Sequence, residues 1–193
     1  MEIGLFLSEV RELNRRYVQL CRSASHKQLA ELRMRLDVEP SALLAIRELD
    51  EEGLSRLLGS SCCLLRSGLT SNDIDVAMKL AGDPAARRAA ATGPVDPFLH
   101  DIRALNQSYL ALCMRSQPEL ALGVLRLKID KDILLRVWAL TLTEAGQLLA
   151  RSTCLVRLDV DERSIQQAVK LQASERDAFL AASSARAIPE EVA

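Results

Sequence analysis

Histidine, glycine and aromatic residues are all scarce in this chain, which has two histidines, eight glycines and 3% aromatic residues. A hydrolase working near neutral pH usually needs a histidine base beside its nucleophile, and phosphate-binding loops need glycine-rich motifs such as GxGxxG or GxxxxGK. Neither motif occurs, and His26 and His100 occupy non-equivalent positions near predicted helix starts. The sequence therefore predicts no catalytic residue, no cofactor-binding residue and no cofactor, and we expect a protein that is not an enzyme.

Signals for a membrane span, for export and for a metal site are also missing. The uncharged apolar runs are shorter than the roughly 18 residues that cross a bilayer, and the first segment turns polar too early for a signal peptide. Cysteines at positions 21, 62, 63, 113 and 154 lack the short paired spacings of zinc sites. We therefore expect a cytoplasmic protein without membrane contact, with free thiols and with neither metal nor structural disulfide.

Positive charge is not concentrated anywhere along the chain. The 25 basic residues are accompanied by 26 acidic ones, and no basic run marks a helix that would read DNA. We expect weak DNA binding by this chain alone, and the sequence assigns no DNA-binding residue.

The main positive feature of the sequence is an internal repeat. The segment from Phe6 to Cys21 recurs 92 positions later, from Phe98 to Cys113, with eight of 16 positions identical. After a one-residue deletion, residues 35–80 match residues 126–171 with 15 identities in 46 positions. Leucine, alanine, arginine and glutamate are abundant, which favours helices. We predict an all-α fold of two repeats, 1–80 and 98–171, joined by an Ala/Pro/Gly linker, 81–97, and followed by a helix extension and tail, 172–193.

The first helix of each copy carries one apolar stripe with residues spaced three and four apart. On isolated copies these stripes would expose large apolar side chains, each worth roughly 1.5 to 3 kcal/mol when buried. We therefore predict that the two copies pack as an intramolecular pseudo-dimer around a pseudo-twofold axis. The residues assigned to this repeat-repeat interface are Leu13, Tyr17, Leu20, Leu105, Tyr109 and Leu112.

Further elements are predicted at equivalent places in both copies. Ser25 with Gln28, and Ser116 with Glu119, match the capping-box pattern at the start of a second helix. A short third helix holds Leu43 or Leu134, a fourth follows Asp50 or Thr141, and a last one begins near Ser71 or Asp161. Residues 62–66 and 153–158 are predicted to be extended, and the linker to be partly helical around residues 85–91.

The second copy resembles the FlhD family, the subunit of the bacterial flagellar master transcriptional regulator. The resemblance lies in the run from Asp101 to Leu110, in Leu125 to Ile129, in Leu140 to Leu142 and in Thr153 to Val160. The first copy is similar but more divergent, and it keeps Leu13-Asn14, Tyr17, Arg35-Leu36 and the segment from Cys62 to Arg66.

The resemblance implies an all-helical, intertwined homodimer that joins a zinc-bearing FlhC-like subunit, binds promoters and recruits RNA polymerase. In this chain the fusion would supply both protomers, and further homo-oligomerisation stays open. The leading hypothesis is an FlhD-type transcriptional activator of flagellar or related genes that acts with a DNA-contacting partner. The alternative hypothesis is an interaction adaptor or anti-activator that has kept the scaffold without binding DNA.

Overall fold

The computed structural model describes residues 3–23, 28–60, 63–92 and 96–185, and this part of the chain is mostly helical, which confirms the predicted class. The first copy contains α1 (Ile3–Ser23), α2 (Leu29–Leu36), α3 (Pro40–Glu48), α4 (Glu51–Leu58), β1 (Leu65–Ser67) and α5 (Ser71–Ala81), followed by α6 (Pro84–Thr92). The second copy repeats that order with α7 (Pro97–Arg115), α8 (Leu120–Leu127), α9 (Lys131–Trp138), α10 (Leu142–Leu149), β2 (Val156–Leu158) and α11 (Glu162–Ala168), followed by α12 (Ala173–Ala185). None of the described helices has both the length and the apolar character needed to span a membrane.

The chain forms two compact units whose boundaries differ from those of the sequence copies. The continuous unit, Ser67–Arg157, contains α5 and α6 together with α7 to α10. The two-segment unit, Ile3–Arg66 with Leu158–Ala193, contains α1 to α4 together with α11 and α12. Each unit therefore combines helices from both copies, because the last helix of each copy belongs to the unit built on the other copy.

Several helices begin where the sequence predicts, because a side chain caps their free backbone amides. Asp50 accepts a hydrogen bond from the amide of Gly53 at 2.7 Å and starts α4. Thr141 forms a capping box with Glu144 at the start of α10. Thr70 starts α5 and Asp161 starts α11 in the same way, with side-chain bonds into the first turn. The predicted fourth and last helices of both copies are thus confirmed, as is the helix within the linker.

The capping box predicted at Ser116 is wrong. Helix α8 begins after Glu119, whose side chain makes no capping bond. Ser116 instead ends α7, and its buried hydroxyl donates to the carbonyl of Cys113 at 2.7 Å. Because the N-cap position of α8 is Glu119, three residues after Ser116, the Ser116 hydroxyl does not stand where it would cap this helix. Ser25, the corresponding residue of the first copy, lies outside the described residues.

The apolar stripes of α1 and α7 are buried in their respective units. Helix α1 packs on α3 and α4, while α7 packs on α8, α9 and α10. In the interior of the two-segment unit, the hydroxyl of Tyr17 donates to the carbonyl of Leu36 at 3.2 Å. The indole of Trp138 in the continuous unit donates to the carbonyl of Cys113 at 2.6 Å. The first helix of each copy therefore serves as the core helix of one unit.

A buried asparagine ties each core helix to the extended segment of its copy. In the continuous unit, the Oδ1 atom of Asn106 accepts from the amide of Leu155 at 2.7 Å, and its Nδ2 atom donates to the carbonyl of Thr153 at 3.0 Å. In the two-segment unit, Asn14 accepts from the amide of Leu64 at 3.1 Å. Both asparagines are fully buried. They satisfy backbone groups near β1 in one unit and near β2 in the other.

Candidate functional site

The six residues predicted for an interface between copies are all buried, with exposed fractions between 0% and 5%. Leu13, Tyr17 and Leu20 lie in the two-segment unit, and the other three lie in the continuous unit. The packing described above for α1 and α7 accounts for much of this burial within each unit. The assignment of these six residues to an interface between the copies stays a prediction.

Histidine, cysteine and carboxylate side chains are dispersed over the described ranges. No cluster of three or more histidine, cysteine, aspartate or glutamate side chains occurs there. His100 is exposed in the first turn of α7, whereas His26 lies outside the described residues. The sulfur atoms of Cys21, Cys63, Cys113 and Cys154 are not joined in disulfides. Burial raises the pKa of Cys154 to about 12, although the amides of Val156 and Leu155 partly offset this rise. A protonated thiol of this kind is a poor nucleophile.

In the continuous unit, ion pairs fix α5 against helices of the second copy. Helix α5 packs on α9 and α10. Asp73 of α5 pairs with Arg151, which follows α10, and Asp75 pairs with Arg136 of α9. Burial opposes ionisation of Asp73, but hydrogen bonds from Arg151 and Thr70 outweigh that effect, so the pKa of Asp73 is lowered. Two acidic side chains of α5 thus form ion pairs with basic side chains of α9 and of the residues after α10.

In the two-segment unit, α11 and α12, which follow β2 of the second copy, contact helices of the first copy. Helix α11 packs on α3 and α4, and Arg56 of α4 donates to the carbonyl of Val169 at 3.0 Å. At the end of α4, the hydroxyl of Ser60 donates to the carboxylate of Asp177 of α12 at 2.7 Å. Leu180, one helical turn further along α12, is 1% exposed. Helix α12 therefore contributes both a buried leucine and a carboxylate to this unit.

In the continuous unit, α6, α7 and the end of α10 line an open cleft of about 170 Å³, which we call the Arg151 cleft. Its main lining residues are Ala89 and Ala90 of α6, Leu99 and Arg103 of α7, and Leu149 and Arg151 at the end of α10. The guanidinium of Arg103 donates to the carbonyl of Ala90 at 3.0 Å. No carboxylate is present among the described residues that line this cleft. Apolar walls with two arginines make it a candidate binding site.

A second cleft of about 150 Å³ lies between α5 and α10. Val76 and Leu80 line it and remain 46% and 39% exposed, and Arg151 stands at its edge as well. Arg151 therefore borders both of these clefts. The sequence analysis missed this feature, because Arg151 and its partner Asp73 are 78 positions apart and neither belongs to a local motif.

Helix α8 has a more apolar sequence than its counterpart in the first copy. Glu31 and Arg33 of α2 correspond to Leu122 and Val124 of α8, which are half-buried. Leu125 of α8 is 72% exposed, and its counterpart Met34 of α2 is 73% exposed. Single exposed apolar residues are ordinary on a protein surface, so they do not distinguish α8 as a contact surface.

Comparisons of this chain with known protein families, with characterised proteins and with solved structures find no significant match. The resemblance of the second copy to the FlhD family therefore stays a hypothesis.

Proposed function

We propose that this protein is an FlhD-type transcriptional regulator that acts in a complex with a DNA-contacting, FlhC-like partner. In this proposal, the single chain takes the place of the two protomers of an FlhD-type dimer. It organises the complex, and the partner brings most of the surface that contacts promoter DNA.

The main support for the proposal is that each compact unit contains helices from both copies. Helix α5 of the first copy packs on α10 of the second, and α11 of the second copy packs on α3 of the first. A covalently joined pair of intertwined protomers would exchange its last helices in this reciprocal way. The order of the FlhD-like segments in the second copy gives independent support.

The charge of the chain explains why the proposal needs a partner. Promoter-binding proteins neutralise several phosphates with lysine and arginine, and their affinity then falls steeply with salt. In the continuous unit, Arg136 and Arg151 are engaged by Asp75 and Asp73. With a formal net charge of −1, this chain alone is expected to bind DNA weakly.

The proposal is tested by mixing the purified chain with an FlhC-type subunit and following co-elution by size-exclusion chromatography. We expect a stable complex, and a mobility-shift titration at about 150 mM salt should show specific binding to a flagellar promoter only when both proteins are present. A scrambled DNA fragment of equal length is the control. Failure of every FlhC-type subunit to associate with the chain would contradict the proposal.

The second candidate function is an adaptor or anti-activator on the same scaffold, and the balanced charge favours it. Under this reading, the chain would bind the partner but the complex would not bind promoter DNA. The same titration separates the two functions, because an adaptor leaves the promoter unshifted or removes an activator from it.

A further inference from the structure

A buried glutamine distinguishes the cleft of about 150 Å³ between α5 and α10, which we call the Gln147 cleft. Gln147 lines this cleft and is only 7% exposed, yet its side-chain amide makes no hydrogen bond within the described part of the chain. Buried side-chain amides of folded proteins nearly always have a hydrogen-bond partner. Because an amide supplies both N–H donors and a carbonyl acceptor, Gln147 offers both kinds of hydrogen bond to a group that enters the cleft.

The equivalent place in the two-segment unit is crossed by an arginine side chain. Gln147 of α10 corresponds to Arg56 of α4, and the guanidinium of Arg56 donates to the carbonyl of Val169 at the end of α11 at 3.0 Å. Arg56 also pairs with Glu52 of its own helix. Gln147 makes no such bond to α5. The two units therefore differ at this place: an arginine of α4 joins α4 to α11, whereas a glutamine of α10 lines an open cleft beside α5.

The walls of the Gln147 cleft are apolar, and the charges beside them are already paired. Val76 and Leu80 lie one turn apart on the same side of α5 and remain 46% and 39% exposed. The counterpart of Val76 on α11 is the polar residue Gln167. Asp73 and Arg151 are the charged residues among the described lining residues, and they pair with each other. A charged occupant would therefore lose its hydration without gaining a free counter-charge, so the cleft favours a neutral, apolar occupant.

We propose that the Gln147 cleft binds an extended, uncharged segment of a partner protein that inserts one leucine-sized side chain beside Val76 and Leu80. A space of about 150 Å³ holds one group of roughly the size of benzene. Gln147 bonds to the peptide group next to the inserted side chain. The segment is extended because peptide groups in the interior of a helix already bond to one another and are not available to Gln147.

This inference goes beyond the proposed function, because it concerns the continuous unit alone and depends on neither promoter DNA nor an FlhC-type subunit. The probe is N-acetyl-leucine methylamide, which carries one leucine side chain between two peptide groups. Its binding to the full chain is followed by NMR of labelled valine and leucine methyl groups. We expect saturable shifts of the signals of Val76, Leu80 and Leu148, with a Kd on the order of 1 mM.

Two related probes test the chemistry of the occupant. N-acetyl-glycine methylamide has the peptide groups without the apolar side chain, and N-acetyl-aspartate methylamide has a charged side chain. Neither should produce saturable shifts of these methyl signals. Shifts of equal size and affinity with all three probes would overturn the proposal, because they would show that the cleft does not select an apolar side chain.

Variants of the chain locate the bound probe. Val76→Gln and Gln147→Arg install the residues found at the equivalent positions of α11 and α4, and each should weaken binding at least about fivefold. Gln147→Met keeps the length of the side chain but removes the amide, and it should weaken binding as well. The matched control is Met78→Gln, because Met78 is 47% exposed on α5 outside the cleft, and binding should be unchanged. Circular dichroism checks that all variants are folded.

Three results would overturn the proposal. The first is an absence of saturable methyl shifts in the unaltered chain, and the second is binding that survives both Val76→Gln and Gln147→Arg. The third is a concentration-dependent dimer of the unaltered chain that Val76→Gln abolishes in sedimentation experiments, which would assign the cleft to a second copy of this chain. Selective binding of the leucine probe to a chain that stays monomeric supports a different protein as the occupant.

Discussion

Replacement of Gly123 by alanine is predicted to destabilise the continuous unit, although alanine is the better helix former. A Cβ atom on Gly123 would lie 2.5 Å from Ser116 Oγ and 2.6 Å from Leu134 Cδ2. Ser116 is held by its bond to Cys113, and Leu134 is fully buried, so neither side chain moves without disturbing the core. Overpacking costs about 1–3 kcal/mol and helix propensity returns up to about 1 kcal/mol. We expect a net loss of about 1–2 kcal/mol.

Gly146 of α10 is the matched control, because a Cβ atom there would meet nothing within 4 Å. Gly146→Ala should therefore stabilise the protein by about 0.5–1 kcal/mol through helix propensity alone. Thermal unfolding followed by circular dichroism should show shifts of opposite sign, with about 2–4 °C for each kcal/mol in a chain of this size. If Gly123→Ala proved as stable as Gly146→Ala, the close packing of α8 on α7 and α9 would be refuted.

Three other predictions concern single side chains. Asn106→Ala leaves the amide of Leu155 without its acceptor and the carbonyl of Thr153 without its donor, so the free energy of unfolding in urea should fall by about 2–5 kcal/mol. A loss no larger than that of the exposed control Gln107→Ala would contradict these bonds. Because its pKa is lowered in the folded state, Asp73 stabilises the fold at pH values above its ordinary pKa of 3.8, and this contribution is lost as the pH falls below that value. Asp73→Asn should therefore make the stability less dependent on pH below about pH 4. An unchanged pH dependence in this acidic range would refute the prediction. With its pKa raised to about 12, the half-buried Cys154 should react with iodoacetamide at pH 8 far more slowly than a thiol in a short peptide, and rapid labelling detected by mass spectrometry would contradict the raised pKa.

Local signals allowed much of the secondary structure to be predicted. Asp50, Thr141 and Asp161 bond to amides within three residues, so the sequence alone identifies the helices that follow them. Ser116 shows the limit of the same reasoning. It has the capping pattern, but it ends α7, and α8 begins only after Glu119, so the pattern alone does not locate the start of α8.

The unit composition and the candidate site depend on contacts between distant residues. The apolar stripe of α5 predicts burial but does not say whether α4 or α10 receives it, because these two helices have similar patterns. The pairing of Asp73 with Arg151 distinguishes them, and it is visible only in three dimensions. The pair Asn14 and Asn106 was visible as an identity between the copies, yet its bonds to the extended segments could not be read from the repeat.

The central claim is that both copies contribute helices to each compact unit, and cleavage between the copies tests it most directly. A specific protease site inserted at residues 93–95 separates 1–92 from 96–193 without touching a described helix. Because α5 stays packed on α10 and α11 on α3, we predict that the two fragments elute together in size-exclusion chromatography under native conditions and separate only in denaturant. Elution of two folded, separate fragments after native cleavage would contradict the account.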